Sequence, residues 1–211
     1  GVVYVAGEVE RFKGPDRPRN VNDGKQTPPA LARFAQITVV TEDDIRITGD
    51  IRYEQPPCSS SPVRNANRSV TPAVCNNVGH PNVLGVFTPD GDIIVGNDNN
   101  DSTLNAPKNV HVHAVLMSAS DQIRVEGYKE RTSFNEDRGE LHLLGGMIQE
   151  NRGVFGTFTA GQSGGRKGYD RIYTYDPRMA RGLAPPYFPT TGLDTVAAVR
   201  YFSFGQREQV Y

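Results

Sequence analysis

The chain has 211 residues, 36% hydrophobic and 22% charged, with a formal net charge of -1. That size predicts one domain, or one domain with an appendage, and the balance excludes both a disordered tail and a histone-like polycation. Its 22 Gly and 15 Pro speak against a helix bundle, and no apolar run approaches the ~18–20 residues that cross a bilayer.

The first residues, Gly1-Val-Val-Tyr-Val-Ala6, already read as a strand, and no initiator Met stands before them. The expectation is an excised or processed piece whose targeting segment lies outside it. Residues 11–33 carry Arg11, Lys13, Arg17, Arg19, Lys25 and Arg33 against Asp16 and Asp23, a count of +4. Within them and just after, only 28–35 has room for a turn or two of helix. Elsewhere the pattern is short alternating runs rich in Val and Ile, closed by Gly, Asp or Asn.

Three of these runs, 37–49, 85–96 and 115–127, look like copies of one another. Aligned on Ile45, Ile93 and Ile123, they place Ile47, Val95 and Val125 two positions later. Val39, Phe87 and Met117 fall six positions earlier. Residues 1–9 offer a partial fourth copy and 140–148 a partial fifth. A unit this short cannot bury its apolar face alone, but stacked coils bury a continuous ladder. The predicted fold is therefore all-β: a β-solenoid with Ile45, Ile47, Phe87, Ile93, Val95, Ile123 and Val125 in one shared core. Long irregular loop insertions fall near 10–33, 52–82, 97–110 and 128–140, and the solenoid domain covers 1–190. Residues 191–211 follow as a C-terminal strand or tail, because 195–204 is rich in Val and aromatics. An ordinary β-sandwich is the competing fold. It predicts two-residue Asn-Gly or Asp-Gly turns between paired strands, and Asp90-Gly91 is the one good candidate.

Cys58 and Cys75, the two cysteines, lie in one stretch of Ser, Pro and Asn. Free cysteines favour cores, so a disulfide is expected there. It would contribute ~3 kcal/mol in the chain-entropy description and implies an oxidising compartment. A zinc site is not expected, since there is no CxxC and only His80 is near. Asp90, Asp92, Asp98 and Asp101 form a dense acidic cluster, but the spacing is not that of an EF-hand and turns favour Asp for backbone reasons. His111 and His113 alternate on one strand face without an evident third metal ligand, and read as surface or ladder histidines. The glycine-rich 161–168 lacks Gly-Lys-Ser/Thr and an evident following helix, so it reads as a loop. No nucleophile motif is present. No catalytic, metal-binding or cofactor-binding residues are therefore assigned, and no cofactor is expected.

Residues 152–181 form a second basic segment, with Arg152, Arg166, Lys167, Arg171, Arg178 and Arg181 against Asp170 and Asp176. Tyr169, Tyr173 and Tyr175 interleave it, and Arg outnumbers Lys 18 to 5 across the chain. Arginine with aromatics suits phosphate contacts and base stacking. The candidate nucleic-acid-binding set is Arg11, Lys13, Arg17, Arg19, Arg166, Lys167, Arg171, Arg178 and Arg181. The plainer reading is a solvated polar face with local ion pairs.

The stretch 145–158, then 168–178 (Gly168-Tyr-Asp-Arg-Ile-Tyr-Thr-Tyr-Asp-Pro-Arg178), then Pro185-Pro-Tyr-Phe-Pro189, resembles the close of a bacterial repeat domain. That domain occurs in envelope and pilus-associated proteins, notably of Deinococcus and Thermus relatives. The opening 1–7 and the Asp-Ile repeats are similar to its earlier part, so the resemblance covers roughly 1–190. The family includes the Thermus competence minor pilin ComZ, whose β-solenoid is inserted in a pilin-like domain and is implicated in DNA binding. The resemblance implies a surface-exposed β-solenoid at the cell surface or outside the cell, with DNA, pilins or other envelope proteins as partners. It brings no catalytic residues. This chain lacks the family's apolar N-terminal pilin helix, and the loop bearing the cysteines is not part of the family pattern. The resulting expectation is a non-enzymatic cell-surface binding or assembly module, such as a minor-pilin ectodomain contacting DNA. The alternatives are a structural envelope scaffold and, third, a polysaccharide lyase or hydrolase.

Overall fold

The computed structural model describes residues 1–67, 69–96, 106–126, 137–157 and 167–189. The strands are β1 (Val2–Val5), β2 (Val9–Phe12), β3 (Gln36–Thr41), β4 (Ile45–Ile47), β5 (Val63–Arg64) and β6 (Val70–Thr71). They continue with β7 (Val83–Thr88), β8 (Ile93–Val95), β9 (Val110–Val125), β10 (Asp137–Asn151), β11 (Gly156–Thr157) and β12 (Lys167–Tyr175). The described residues contain no α-helix, only short 3-10 turns such as Gly24–Gln26 and Met179–Arg181. Residues 28–35 form no helix; Leu31 makes a parallel bridge to Tyr53 instead.

Parallel pairing dominates. One ladder runs β1-β3-β7-β9-β10-β12, and a second runs β2-β4-β8-β9. Successive strands of one coil belong to different ladders, and the 16-residue β9 belongs to both. Bridges of Leu31 to Tyr53 and of Ile51 to Val112 begin a third side. The result is an all-β, nearly closed sheet of parallel strands going round an axis. Antiparallel pairing is confined, among the described residues, to β5 with β6 and β11 with β12.

The register explains why these sequences settle here. Ile45 pairs with Ile93, and Ile93 with Ile123. Ile47, Val95 and Val125 make the next column. All six are buried in one core cluster with Val39, Val86 and Leu116. Each such side chain contributes ~1.5–3 kcal/mol of burial. In parallel strands buried on one side, like residues repeat at one height and pack as a column.

Phe87 does not join that core. Val39 pairs with Val86, which pairs with Leu116, whereas Phe87 pairs with Val40 and Met117. The turn from β3 to β4 is one residue shorter than that from β7 to β8, so alignment on the isoleucines shifts the preceding strand by one. In a strand a one-residue shift moves a side chain to the other face. Phe87 thus points outward, half-buried, with its ring 6.3 Å from that of Phe188. Residues 176–189 cross this outer face. A Cβ on Gly85 would lie 2.6 Å from the Phe188 ring, so glycine is what lets the tail approach. Thr38 donates its hydroxyl to the Pro186 carbonyl at the same crossing.

The excursion between β4 and β7 carries the β5-β6 hairpin and the Cys58–Cys75 disulfide, with an S–S distance of 2.08 Å. Ser59 N–H donates to the Val74 carbonyl at 2.8 Å beside it. At the N-terminal end, Val3 continues the Val39-Val86-Leu116 column but is 49% exposed, because β1 is the outermost strand of its ladder. The expected C-terminal strand at 191–211 lies outside the described residues.

Candidate functional site

The basic residues singled out in the sequence divide into two sets. Arg11, Arg19, Lys167, Arg171 and Arg181 are exposed, and Arg166 lies outside the described residues. Lys13 is exposed as well and pairs with the exposed Asp16. Arg17 and Arg178 are spent inside the fold, so neither is free to meet a phosphate.

Arg17 grips Asp50 with two donors, Nε at 2.6 Å and Nη2 at 3.0 Å. Its remaining donors reach the carbonyls of Asn22 and Lys108 at 2.8 Å and of Asn109 at 2.9 Å. Asp50 also accepts from the Thr27 hydroxyl at 2.7 Å and the His111 N–H at 2.9 Å. Burial alone would raise the Asp50 pKa, but Arg17 and these donors hold it below the usual carboxylate range. A Cβ on Gly24 would fall 2.0 Å from Asp50 Oδ1, so the loop closes on the carboxylate only with glycine there. This hub fastens the first excursion to the stack.

Arg178 is 2% exposed and fills a similar role at the other end of the chain. Its guanidinium bonds both Asp176 oxygens, with Nη2 to Oδ2 at 2.6 Å. Nη1 reaches the His80 carbonyl at 2.6 Å and Asn82 Oδ1 at 3.0 Å. Its Cζ lies 5.7 Å from the centre of the Tyr53 ring. Of the interleaved tyrosines, Tyr169 is buried and donates to the Pro107 carbonyl at 2.7 Å, Tyr173 packs against the core, and Tyr175 is exposed. Asp92, from the acidic cluster, pairs with Arg124, while Asp98 and Asp101 lie outside the described residues.

The most developed polar constellation is one the sequence reading did not assemble. His111 on β9 and His142 on β10 occupy paired positions, and their rings stack at 4.2 Å with an interplanar angle of 11°. His142 Nε2 lies 2.8 Å from Glu140 Oε2, and its Nδ1 is 3.3 Å from Ser61 Oγ. His111 Nε2 lies 3.0 Å from Asp23 Oδ1, its ionic partner, although the pair falls outside ideal hydrogen-bond geometry. Beside them opens a cleft of about 440 Å³ lined by Asp23, Asn109, Asp137, Gly139, Glu140, His142 and Asp170. The usable signal was the partial fifth repeat, which sets His142 under His111. Among the described residues no three His, Cys, Asp or Glu side chains converge as a metal site.

His113 is buried, and its Nδ1 accepts the Tyr53 N–H at 3.0 Å. Burial holds its pKa well below the ordinary histidine value, and burial followed by the neighbouring His142 brings His111 down to about 4. Both are neutral at pH 7. A histidine whose folded pKa is depressed leaves the unfolded chain binding more protons below pH ~6.5. Its stabilisation is therefore complete above that pH and is lost as pH falls towards 4. Urea unfolding between pH 7 and pH 4 should show this fall, with His111 accounting for about 3 kcal/mol of it. A His111→Gln variant should have a shallower pH slope; an unchanged slope would refute this assignment.

No family model, curated protein or solved structure matches the chain.

Proposed function

We propose that the chain is a β-solenoid assembly module displayed at the cell surface, non-enzymatic, and joined end-on to a β-structured neighbour. The observation that supports this reading is the outermost strand. Val3 belongs to an interior column yet is 49% exposed, and Val2 and Tyr4 beside it are exposed too. Among the described residues such an edge pairs with no strand on one side and carries an apolar rim, which suits the addition of another strand. The disulfide suits an oxidising exterior, and no helix among the described residues is long and apolar enough to cross a membrane. The resemblance to pilus-associated repeat domains supports the same setting.

A DNA contact is the weaker reading, since Arg17 and Arg178 are committed to Asp50 and Asp176. It now rests on Arg11, Arg19, Lys167, Arg171 and Arg181, and a salt-dependent gel shift tests it.

Single cysteines at Val3 and at Asp16, whose side chain is 84% exposed, test the main reading with a membrane-impermeant maleimide. Asp16→Cys should label on intact cells and in the purified chain. Val3→Cys should label in the purified chain and be protected on cells. Equal labelling of both on cells overturns end-on assembly, and no labelling of Asp16→Cys on intact cells overturns surface display.

A further inference from the structure

The run β1-β3-β7-β9-β10 of the first ladder is open at both ends, and the two openings match. Val3, Val39, Val86, Leu116 and Met147 form one inner column across it. Tyr4, Val40, Phe87, Met117 and Ile148 form the adjacent outer column. At one end, among the described residues, no strand lies beyond β1. At the other end β12 covers β10 only as far as Gly145, which pairs with Tyr175, and no described strand pairs with the far side of 146–149. Both openings expose apolar side chains: Val2 at 46%, Val3 at 49% and Tyr4 at 60%, and across the stack Ile148 at 40%. The end coils of a stack normally carry a polar outer face, and edge strands normally carry charge or proline to stop further pairing. Neither edge does so here, since β1 is Val-Val-Tyr-Val and 146–149 is Gly-Met-Ile-Gln.

Resting on the end-on reading above, we propose that the neighbour is a second copy of this chain, whose β1 adds in parallel to 146–149 of β10. Three features favour a copy over a foreign strand. The first is polarity. Every pairing in the run is parallel, so a copy displaced along the stack axis brings β1 to β10 already in the right sense. The second is the step at the β10 end. Val2 shares its column with Thr38, Gly85, Val115 and Gly146, one position past the Gly145 at which β12 stops. The incoming β1 therefore begins where β12 ends, and the two strands lie in one layer without overlapping. The third is the pair of columns. Val3 continues the inner column beyond Met147, and Tyr4 continues the outer one beyond Ile148, so a single contact covers the exposed apolar groups of both ends. A foreign strand accounts for one edge; a copy accounts for both. The contact is head-to-tail, so each added copy presents a fresh edge, and growth gives a filament unless the rotation closes a ring.

The test is light scattering of the purified chain over a dilution series. The mass should grow with concentration in multiples of the chain, while the dilute chain keeps β1 open. Tyr4→Lys and Ile148→Lys each put a charge at one opening, and each alone should weaken growth roughly tenfold or more. Mixed in equal parts, the two variants should form dimers and stop there, because each supplies the edge that the other has lost. Thermal melts check that both variants fold. No growth of the unaltered chain overturns the proposal. So does growth unchanged in Ile148→Lys, which is the result expected if β1 pairs with β1 about a two-fold axis. On intact cells, oxidation of a Tyr4→Cys, Ile148→Cys double variant should join chains into multiples. If Val3→Cys is protected on cells while the double variant yields no multiples, the neighbour is a different protein: end-on assembly stands and the second copy falls. Labelling of Val3→Cys on cells as strong as that of Asp16→Cys removes both.

Discussion

Replacing Asp176 by Ala is expected to cost the protein about 3–5 kcal/mol, one of the largest effects of any single polar substitution in it. The carboxylate is buried and receives four hydrogen bonds from Arg178, three from the guanidinium and one from the main chain. Removing it leaves a guanidinium buried under Tyr53 with only the His80 carbonyl and Asn82 to hold it. The charge cannot be relieved by deprotonation, because an arginine stays protonated at any working pH. It must be solvated, and the route to solvent is release of the tail from the outer face of the first ladder. Phe188 would leave Gly85 and Phe87 with it. Urea midpoints read the loss. Two controls separate the buried charge from a general weakness of the turn. Arg181→Ala, exposed two residues beyond the 3-10 turn's start, should change stability by less than ~0.5 kcal/mol. Asp176→Leu combined with Arg178→Met should recover much of the loss, since an apolar pair of similar volume carries no desolvation cost. If the double variant is as unstable as Asp176→Ala, the buried charge is not the cause.

The same residues show why the sequence revealed some features and hid others. The Ile45, Ile93 and Ile123 column was legible because like residues recur with the same local spacing, Ile or Val two positions on, in three separate runs. Local repetition is what a stack imposes, so it survives in the sequence. The outward facing of Phe87 was not legible, because turn length is free to vary by a residue and alignment on one strand does not fix the strand before it. The disulfide was legible from composition, since Cys58 and Cys75 stand among Ser, Pro and Asn. Arg178 was not legible as a buried group. Its neighbours in sequence are a proline turn and charged residues, while the partners that bury it, His80 and Asn82, lie almost a hundred positions away. Arg17 is similar, with Asp50 and Lys108 as remote partners. Counting charges along a segment registers the guanidinium and misses what it meets. The acidic cleft combines Asp23 from the first excursion with residues of β10 and β12, so no window of sequence contains it.

Ile93→Ala should be the most damaging of the single apolar truncations on the second ladder, at about 4 kcal/mol and a Tm fall of roughly 10 °C. Ile93 is 0% exposed and lies between Ile45 and Ile123, so columns above and below fix the walls of the cavity that the truncation opens. A parallel stack is poorly able to collapse into such a hole, because moving one strand inward breaks its hydrogen bonds to both neighbours. Phe87→Ala removes a larger side chain but from the outer face, where only the Phe188 contact and partial burial are lost. It should cost about 1–2 kcal/mol. The order of these two values discriminates between the registers. If Phe87 stood in the column with Val39, its truncation would exceed that of Ile93, because it would vacate more volume in the same core. Ile45→Ala with Ile93→Ala should further cost less than the separate losses added together, since the two cavities merge and the neighbours can relax into one space. Strict additivity would mean that the two side chains do not share a column, and the parallel ladder β4-β8-β9 would be the feature to abandon.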